Sequence, residues 1–236
     1  MIKHITFASD NMSISAELCR KSALAHGCDV SKIFTPDDLK GTEFYYHNRS
    51  ILSKSRGVGY WMWKPYFLLR EIVSLQRGSF IIYTDAGVEF VNSVDYLIKS
   101  MSSYCLLFQN NYKHSEWCKG DVMAYTPDYT GNQVQASAMI FMAGEKSEKI
   151  IMDWLIHCQL PGLIDDSPSK LPNYPGFQEH RHDQAILTSV AVQKNIPLHW
   201  WPAQYLDGKF TYDKNGLTDN YPVIFHHHRK RNDEWK

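Results

Sequence analysis

The chain has 236 residues, 44% of them hydrophobic, enough to bury one substantial core and to fit a single domain spanning residues 1–236. Its 25 basic and 25 acidic side chains cancel, which excludes a global field drawing it onto nucleic acid or an anionic membrane, so an anionic ligand must be held locally. Five widely spaced cysteines without a CxxC pair argue against a disulfide framework or a cysteine zinc site, and no apolar run approaches the ~20 residues of a membrane span.

Residues 2–8 read as a buried first strand that releases Ser9 and Asp10 at its exit. A helical stripe with Ile14 and Leu18 follows over 13–26 and stops at Gly27, and 30–34 returns as a second strand. This β-α-β opening favours a parallel sheet with a right-handed crossover. Pro65 suits the first position of a helix carrying Phe67, Leu68, Ile72 and Leu75, with Gly78 as its stop. The apolar run Phe80-Ile81-Ile82-Tyr83 predicts a strand covered on both faces, which delivers Asp85 to the carboxyl end of a central strand. Further strands are predicted at 104–108, 136–142, 197–201 and 223–225, with helices at 94–102, 145–158 and 183–194. Four prolines interrupt 160–176, a loop that could serve as a mobile lid. The fold class is mixed α/β, and ligands are expected outside the carboxyl ends of its strands.

Four segments carry candidate chemistry. Thr84-Asp85-Ala86-Gly87 presents a carboxylate in a tight turn, where it can hold a divalent cation against a departing diphosphate; the plain alternative is an ordinary strand-to-turn exit. Arg56-Gly57-Val58-Gly59-Tyr60-Trp61-Met62-Trp63-Lys64-Pro65 is the most distinctive segment. Its glycines permit unusual backbone approaches, Arg56 and Lys64 offer cations to phosphate, and a helix N-terminus follows. An aromatic hinge packing a helix on the sheet is its plain alternative, Tyr60 and Trp63 included.

His180-Arg181-His182-Asp183-Gln184 opens a helix, where Asp183 either complements the helix dipole or binds hydroxyl groups. His226-His227-His228-Arg229-Lys230-Arg231 follows an apolar strand. Alternation places His226 and His228 on one side, so one of them could complete a metal site with Asp85, while the basic triplet neutralises a diphosphate. A solvated basic tail is the plain alternative. Gln135 and Ser137, before the strand through Met142, are lesser candidates for bonding a polar ligand. Ser9 and Asp10 are equally well read as a cap for the following helix.

With these residues in view, the chain resembles the GT-A-fold glycosyltransferases, which move a sugar from a nucleotide-sugar donor. Asp85-Ala86-Gly87 resembles their acidic metal motif, although Gly87 lacks the usual second carboxylate and Glu89 stands two residues further on. The segment through Gly59-Tyr60-Trp61-Met62-Trp63-Lys64-Pro65 is similar to a signature in bacterial and viral members, with Val58 departing from its tyrosine. Asp183-Gln184-Ala185-Ile186-Leu187 resembles the segment beside the reacting anomeric carbon in retaining members. The order of motifs covers 2–231. The resemblance implies a GT-A (Rossmann-like) mixed, mainly parallel sheet flanked by helices, with Asp183 and Gln184 catalytic.

It also implies Ser9, Asp10, Arg56, Tyr60, Trp63, Lys64, Asp85, Ala86, Gly87, Gln135, Ser137, His182 and Lys230 at the donor. The implied cofactor is Mn²⁺ or Mg²⁺ on Asp85 with His226 or His228. The expected donor is a nucleotide sugar, UDP-linked by preference, and the acceptor a glycan, a lipid-linked sugar or a protein. A cytoplasmic location is expected, with peripheral attachment to the inner face of a membrane as its variant, and no specific nucleic-acid binding. Retention and inversion of configuration both stay open, because an aspartate at 183 can instead deprotonate an acceptor. Two other readings compete. A sugar nucleotidyltransferase shares the α/β plan, but Phe7-Ala8-Ser9-Asp10-Asn11-Met12 lacks its glycine-rich basic loop. A carbohydrate-binding module needs the aromatics but no convergence of Asp85, Asp183 and a histidine.

Overall fold

The computed structural model describes residues 1–204 and 219–235. Among them are the strands β1 (Ile2–Phe7), β2 (Val30–Phe34), β3 (Phe80–Thr84), β4 (Val88–Phe90), β5 (Cys105–Lys113), β6 (Asn132–Met142), β7 (Leu198–His199), β8 (Ala203–Gln204) and β9 (Phe225–His227). The longer helices are α1 (Ser13–Ala25), α2 (Trp63–Ile72), α3 (Asp95–Ser100), α4 (Glu145–Gln159) and α5 (His182–Gln193).

The main sheet runs β2-β1-β3-β6-β5-β7, with β6 antiparallel to both neighbours and every other pairing parallel. This is the mixed, mainly parallel α/β architecture expected. Alternation along the strands divides the core into two faces. Ile81, Leu107 and Met139 point to the side of Phe67, Trp154 and Ile186 from α2, α4 and α5. Ile82, Leu106 and Ile140 point to the side of Cys19, Ala23, Leu97, Trp201 and Phe225. Helices therefore cover both faces, which is why these strands read as unbroken apolar runs.

A second sheet, β4-β9-β8, sits beyond the acidic turn. Its outer strands β4 and β8 escape sequence reading because strands of two or three residues carry no measurable period. Strand β5 runs five residues past its expected end and β7 is shorter than expected, and three further shifts bear on the site. Helix α2 starts at Trp63, ahead of Pro65, which is tolerated because the first-turn N–H groups of a helix have no intrahelical partner anyway. Strand β6 reaches back to Asn132, so Gln135 and Ser137 lie within it rather than in a preceding loop. Strand β9 begins at Phe225, two residues later than expected, and that shift decides which histidine faces inward.

All five cysteines are free and buried. Among the described residues no helix is long and apolar enough to cross a membrane. The proline-rich loop is tied down: the Lys119 ammonium donates to the carbonyls of Asp165 and Ser167 at 3.0 and 3.2 Å, and the Lys170 and Leu171 amides bond Asp121.

Candidate functional site

The distinctive glycine-aromatic segment forms a left-handed turn. Gly57, Val58, Gly59, Tyr60 and Trp61 have φ of 58°, 52°, 87°, 55° and 62°. The Tyr60 and Trp61 amides close it onto the carbonyls of Arg56 and Gly57 at 2.7 and 3.1 Å. A left-handed helix costs L-residues roughly 1–2 kcal/mol each, so Val58, Tyr60 and Trp61 hold a strained path that the packing must maintain. The glycines are needed for space as well as for φ: a Cβ on Gly59 would lie 2.6 Å from the Leu52 Cα. The turn launches α2, and the Trp63 indole N–H fixes the joint by donating to the Gly57 carbonyl at 2.8 Å.

Lys64 then enters the protein as the centre of the site. Its ammonium, on a residue only 3% exposed, lies 2.9 Å from Asp183 Oδ2 and 3.6 Å from Asp85 Oδ1. It also donates to the Ala136 carbonyl at 3.0 Å, joining α2, β3, β6 and the start of α5. Burial disfavours the charge on Lys64, yet Asp183 and Asp85 outweigh it and raise its pKa. Burial pushes Asp183 up to about 6 despite Lys64, and repulsion from Asp85 adds to the rise. For Asp85 the burial effect is overcome by Lys64 and by the Tyr83 hydroxyl, which donates to Oδ1 at 2.7 Å, and its pKa falls. Two carboxylates sharing one ammonium are thus pushed apart in acidity.

Two clefts meet at Asp85 and Trp61. The first is lined by Arg56, Lys64, Ala136, Ser137, Arg181, His182, Asp183 and Gln184. Arg56 is paired with Asp166 at 3.0 Å and Glu179 at 3.6 Å, and Arg181 with Glu179 at 2.9 Å, so the cleft rim is balanced in charge. His182 has φ of 45° and its Nδ1 lies 2.8 Å from the Ile164 carbonyl. Gln184 accepts from the Ala136 amide at 3.3 Å and donates to Gln133 at 2.7 Å.

The second cleft is lined by Phe7, Ser9, Met12, Gly57, Val58, Trp63, Tyr83, Ala86, Gly87, His227, Arg229 and Arg231. Trp63 stacks on Phe7 with centroids 3.8 Å apart.

Of the residues expected at the donor, Ser9, Arg56, Trp63, Lys64, Asp85, Ala86, Gly87, Ser137 and His182 line one cleft or the other, as do Asp183 and Gln184. Three fall elsewhere or only behind, and a fourth, Asp10, is not tested. Tyr60 is buried beside the His182 ring, at 4.9 Å between centroids. Gln135 is buried, its amide bonding Ser137 and Asn110. The Lys230 ammonium lies over the Trp235 ring at 4.6 Å. Asp10 stands in the turn after β1, and its side chain lies outside the described residues.

The histidine assignment needs correction. Phe225 fills the core, and alternation along β9 puts His227 on the same inward face, where it lines the second cleft. His226 pairs in register with Glu89 on the opposite face, and the His228 ring packs edge-on against Trp235. Arg181, His227, Arg229 and Arg231 also line the clefts, and all stand inside the two polar segments already singled out.

A divalent ion fits this donor set poorly. Gly87 contributes no carboxylate, and among the described residues no three His, Cys, Asp or Glu side chains gather as a metal cluster. Asp85 and His227 are the two candidate donors at the second cleft, and the Asp85 carboxylate already serves Tyr83 and Lys64.

No family model and no curated protein matches the chain. Solved structures do. Mouse xyloside xylosyltransferase 1, in its apo form, is similar over 97% of this chain and 98% of its own, at 11% identity and TM-score 0.53. The galactosyltransferase LgtC, solved with donor and acceptor sugar analogues, is similar over 96% and 87%, at 13% identity and TM-score 0.55. The bifunctional glycosyltransferase WbbM, also apo, is similar over 93% of this chain and 41% of its own, at 11% identity and TM-score 0.51. At such identities the likeness is one of architecture, and the chain has the fold of these GT-A glycosyltransferases.

Proposed function

We propose that the chain transfers a sugar from a nucleotide-diphosphate donor, UDP-linked by preference, to a hydroxyl acceptor on a glycan, a lipid-linked sugar or a protein. One observation carries this reading. Two clefts join at Asp85, at the carboxyl end of β3, and the Asp183-Gln184 helix start faces the first of them across Lys64. A ligand with an anionic middle, an aromatic end and a hydroxyl-rich end matches that layout.

The nucleotide occupies the second cleft, against Phe7, Ser9 and Trp63, and the diphosphate crosses Asp85-Ala86-Gly87 toward the arginines. The donor sugar enters the first cleft, where Asp183 and Gln184 accept and donate hydrogen bonds to its hydroxyls and lie beside the carbon that gains positive character. Lys64 holds the two carboxylates in place, and Trp61 separates the nucleotide from the sugar. The glycosyltransferases that share the fold support the same reading.

Incubation with a panel of UDP-, GDP- and dTDP-sugars, scoring nucleoside diphosphate release with and without glycan acceptors, tests it. Asp183→Asn keeps the volume and leaves Lys64 its second partner, Asp85; it is expected to lower turnover by about 10²–10³, with thermal unfolding run beside it to separate lost chemistry from lost stability. Wild-type turnover in that variant removes the role given to Asp183. Glycan binding by the wild type without turnover of any donor favours a carbohydrate-binding module.

A further inference from the structure

The tail after β9 crosses directly over the acidic turn. The His228 and Arg229 amides both donate to the Gly87 carbonyl, at 2.9 and 3.1 Å. A Cβ on residue 87 would stand 2.8 Å from the Arg229 Cα and 3.1 Å from its nitrogen. Backbone cannot swing aside as a side-chain tip can, so the tail occupies the space that a second acidic side chain would need. Gly87 is therefore more than a missing ligand.

The same crossing brings positive charge. Arg229 sits at φ 56°, a left-handed conformation that is unfavourable outside glycine, and its side chain and that of Arg231 line the second cleft with Ser9 and Trp61. The tail is stapled to the start of α1: the Trp235 indole donates to Ser15 Oγ at 2.8 Å, Asn232 Nδ2 to Ser13 Oγ at 3.0 Å, and Ser15 Oγ to the Lys230 carbonyl.

We propose that Arg229 and Arg231 hold the donor diphosphate and take up the leaving-group charge without a divalent ion, an inference that rests on the transferase reading above. A guanidinium keeps its charge at any working pH and presents a planar fork that matches phosphate oxygens, which suits it to this task better than the compact ammonium of lysine. In the transfer, an acceptor hydroxyl oxygen forms the bond to the anomeric carbon. The bond from that carbon to the distal phosphate oxygen breaks, and its electron pair stays on the phosphate. The acceptor proton is taken up by the released diphosphate. The new negative charge thus develops beside two fixed cations.

Titration calorimetry with uridine and guanosine diphosphates in excess EDTA, run beside turnover of the donor panel, tests the proposal. Binding and turnover are expected to persist in EDTA and to gain nothing from added Mn²⁺ or Mg²⁺. Arg229→Ala and Arg231→Ala each weaken diphosphate binding about 10-fold or more, with partial recovery in Arg→Lys variants and none on adding metal. Lys230→Ala removes the same charge from the same segment and shifts binding far less. Thermal unfolding of each variant keeps loss of binding separate from loss of fold.

Wild-type turnover abolished by EDTA and restored by Mn²⁺ or Mg²⁺ overturns the proposal and leaves glycosyl transfer standing. Arginine variants that bind as the wild type does, or a Lys230 variant as weak as they are, also overturn it. A wild type that neither binds nor turns over any donor sinks the transferase reading and this proposal with it.

Discussion

The two clefts that share Asp85 and Trp61 are built on opposite electrostatic plans. In the first, the charges are interior and paired: Lys64 is 3% exposed and Asp183 4%, and each is fixed by the other. In the second, the walls are aromatic and the charges are arginines on a crossing tail, with Arg229 and Arg231 both exposed. Interior charges hold only as a set, because removing one leaves its partner desolvated and unpaired. Exposed cations are screened by solvent and weaken with salt.

The largest expected effect tests the first plan. Lys64→Met leaves Asp183 buried against Asp85 without a cation, and stability should fall by about 3–5 kcal/mol. Urea denaturation measures it. Adding Asp183→Asn to the same chain removes the stranded charge and should restore a large part of the loss. A single variant as stable as the wild type would mean that Lys64 is not the centre of the site.

The next effect is one of pH. Burial, with repulsion from Asp85, raises Asp183 to about 6 against attraction from Lys64, whereas an unfolded aspartate titrates near 3.9. The folded chain then binds this proton more tightly than the unfolded chain, so the Asp183 contribution to stability is present in acid and is lost as pH rises from about 4 to about 6. Asp85, with its lowered pKa, runs the other way: its contribution stands above the ordinary aspartate value and is lost as pH falls through the depressed one. Activity follows the charged form of Asp183, so kcat/KM should fall about tenfold per pH unit below about 6. A pH-rate profile flat down to pH 5 would contradict the raised value.

Much of this arrangement was legible from the residues. The run Phe80-Ile81-Ile82-Tyr83 announces a doubly covered strand, and the strand exit then places Asp85 without further information. Asp183 could be placed at a helix start because acidic first turns have a physical signature, and it is at one. The histidines could not be sorted in the same way. Period-two alternation fixes two faces but not which one is inside, and that choice was made by Phe225 pairing with Phe90 across a three-residue strand too short to show a pattern.

Nor was the centrality of Lys64 visible. A lysine in the first turn of a helix looks unfavourable to the helix dipole, and only the tertiary approach of two carboxylates from β3 and α5 makes it the right residue. The placement of Arg229 over Gly87 likewise joins positions more than a hundred residues apart, and no local preference records it.

The left-handed turn that divides the clefts gives the smallest and most discriminating effect, because two substitutions one residue apart should have opposite signs. Gly59→Ala places a methyl 2.6 Å from the Leu52 backbone at φ 87°, and should cost about 1–3 kcal/mol as the turn gives way. Val58→Gly relieves a β-branched residue at φ 52°; a relief of about 1–2 kcal/mol set against roughly 0.5–1 kcal/mol of added chain entropy leaves a net gain of about 0–1.5 kcal/mol. Thermal unfolding of the two variants measures both. Because Val58 lines the second cleft and not the first, the stabilised variant should shift diphosphate affinity while leaving the Asp183 pH limb where it was. If both move together, the two clefts are coupled through Trp61 and do not act independently.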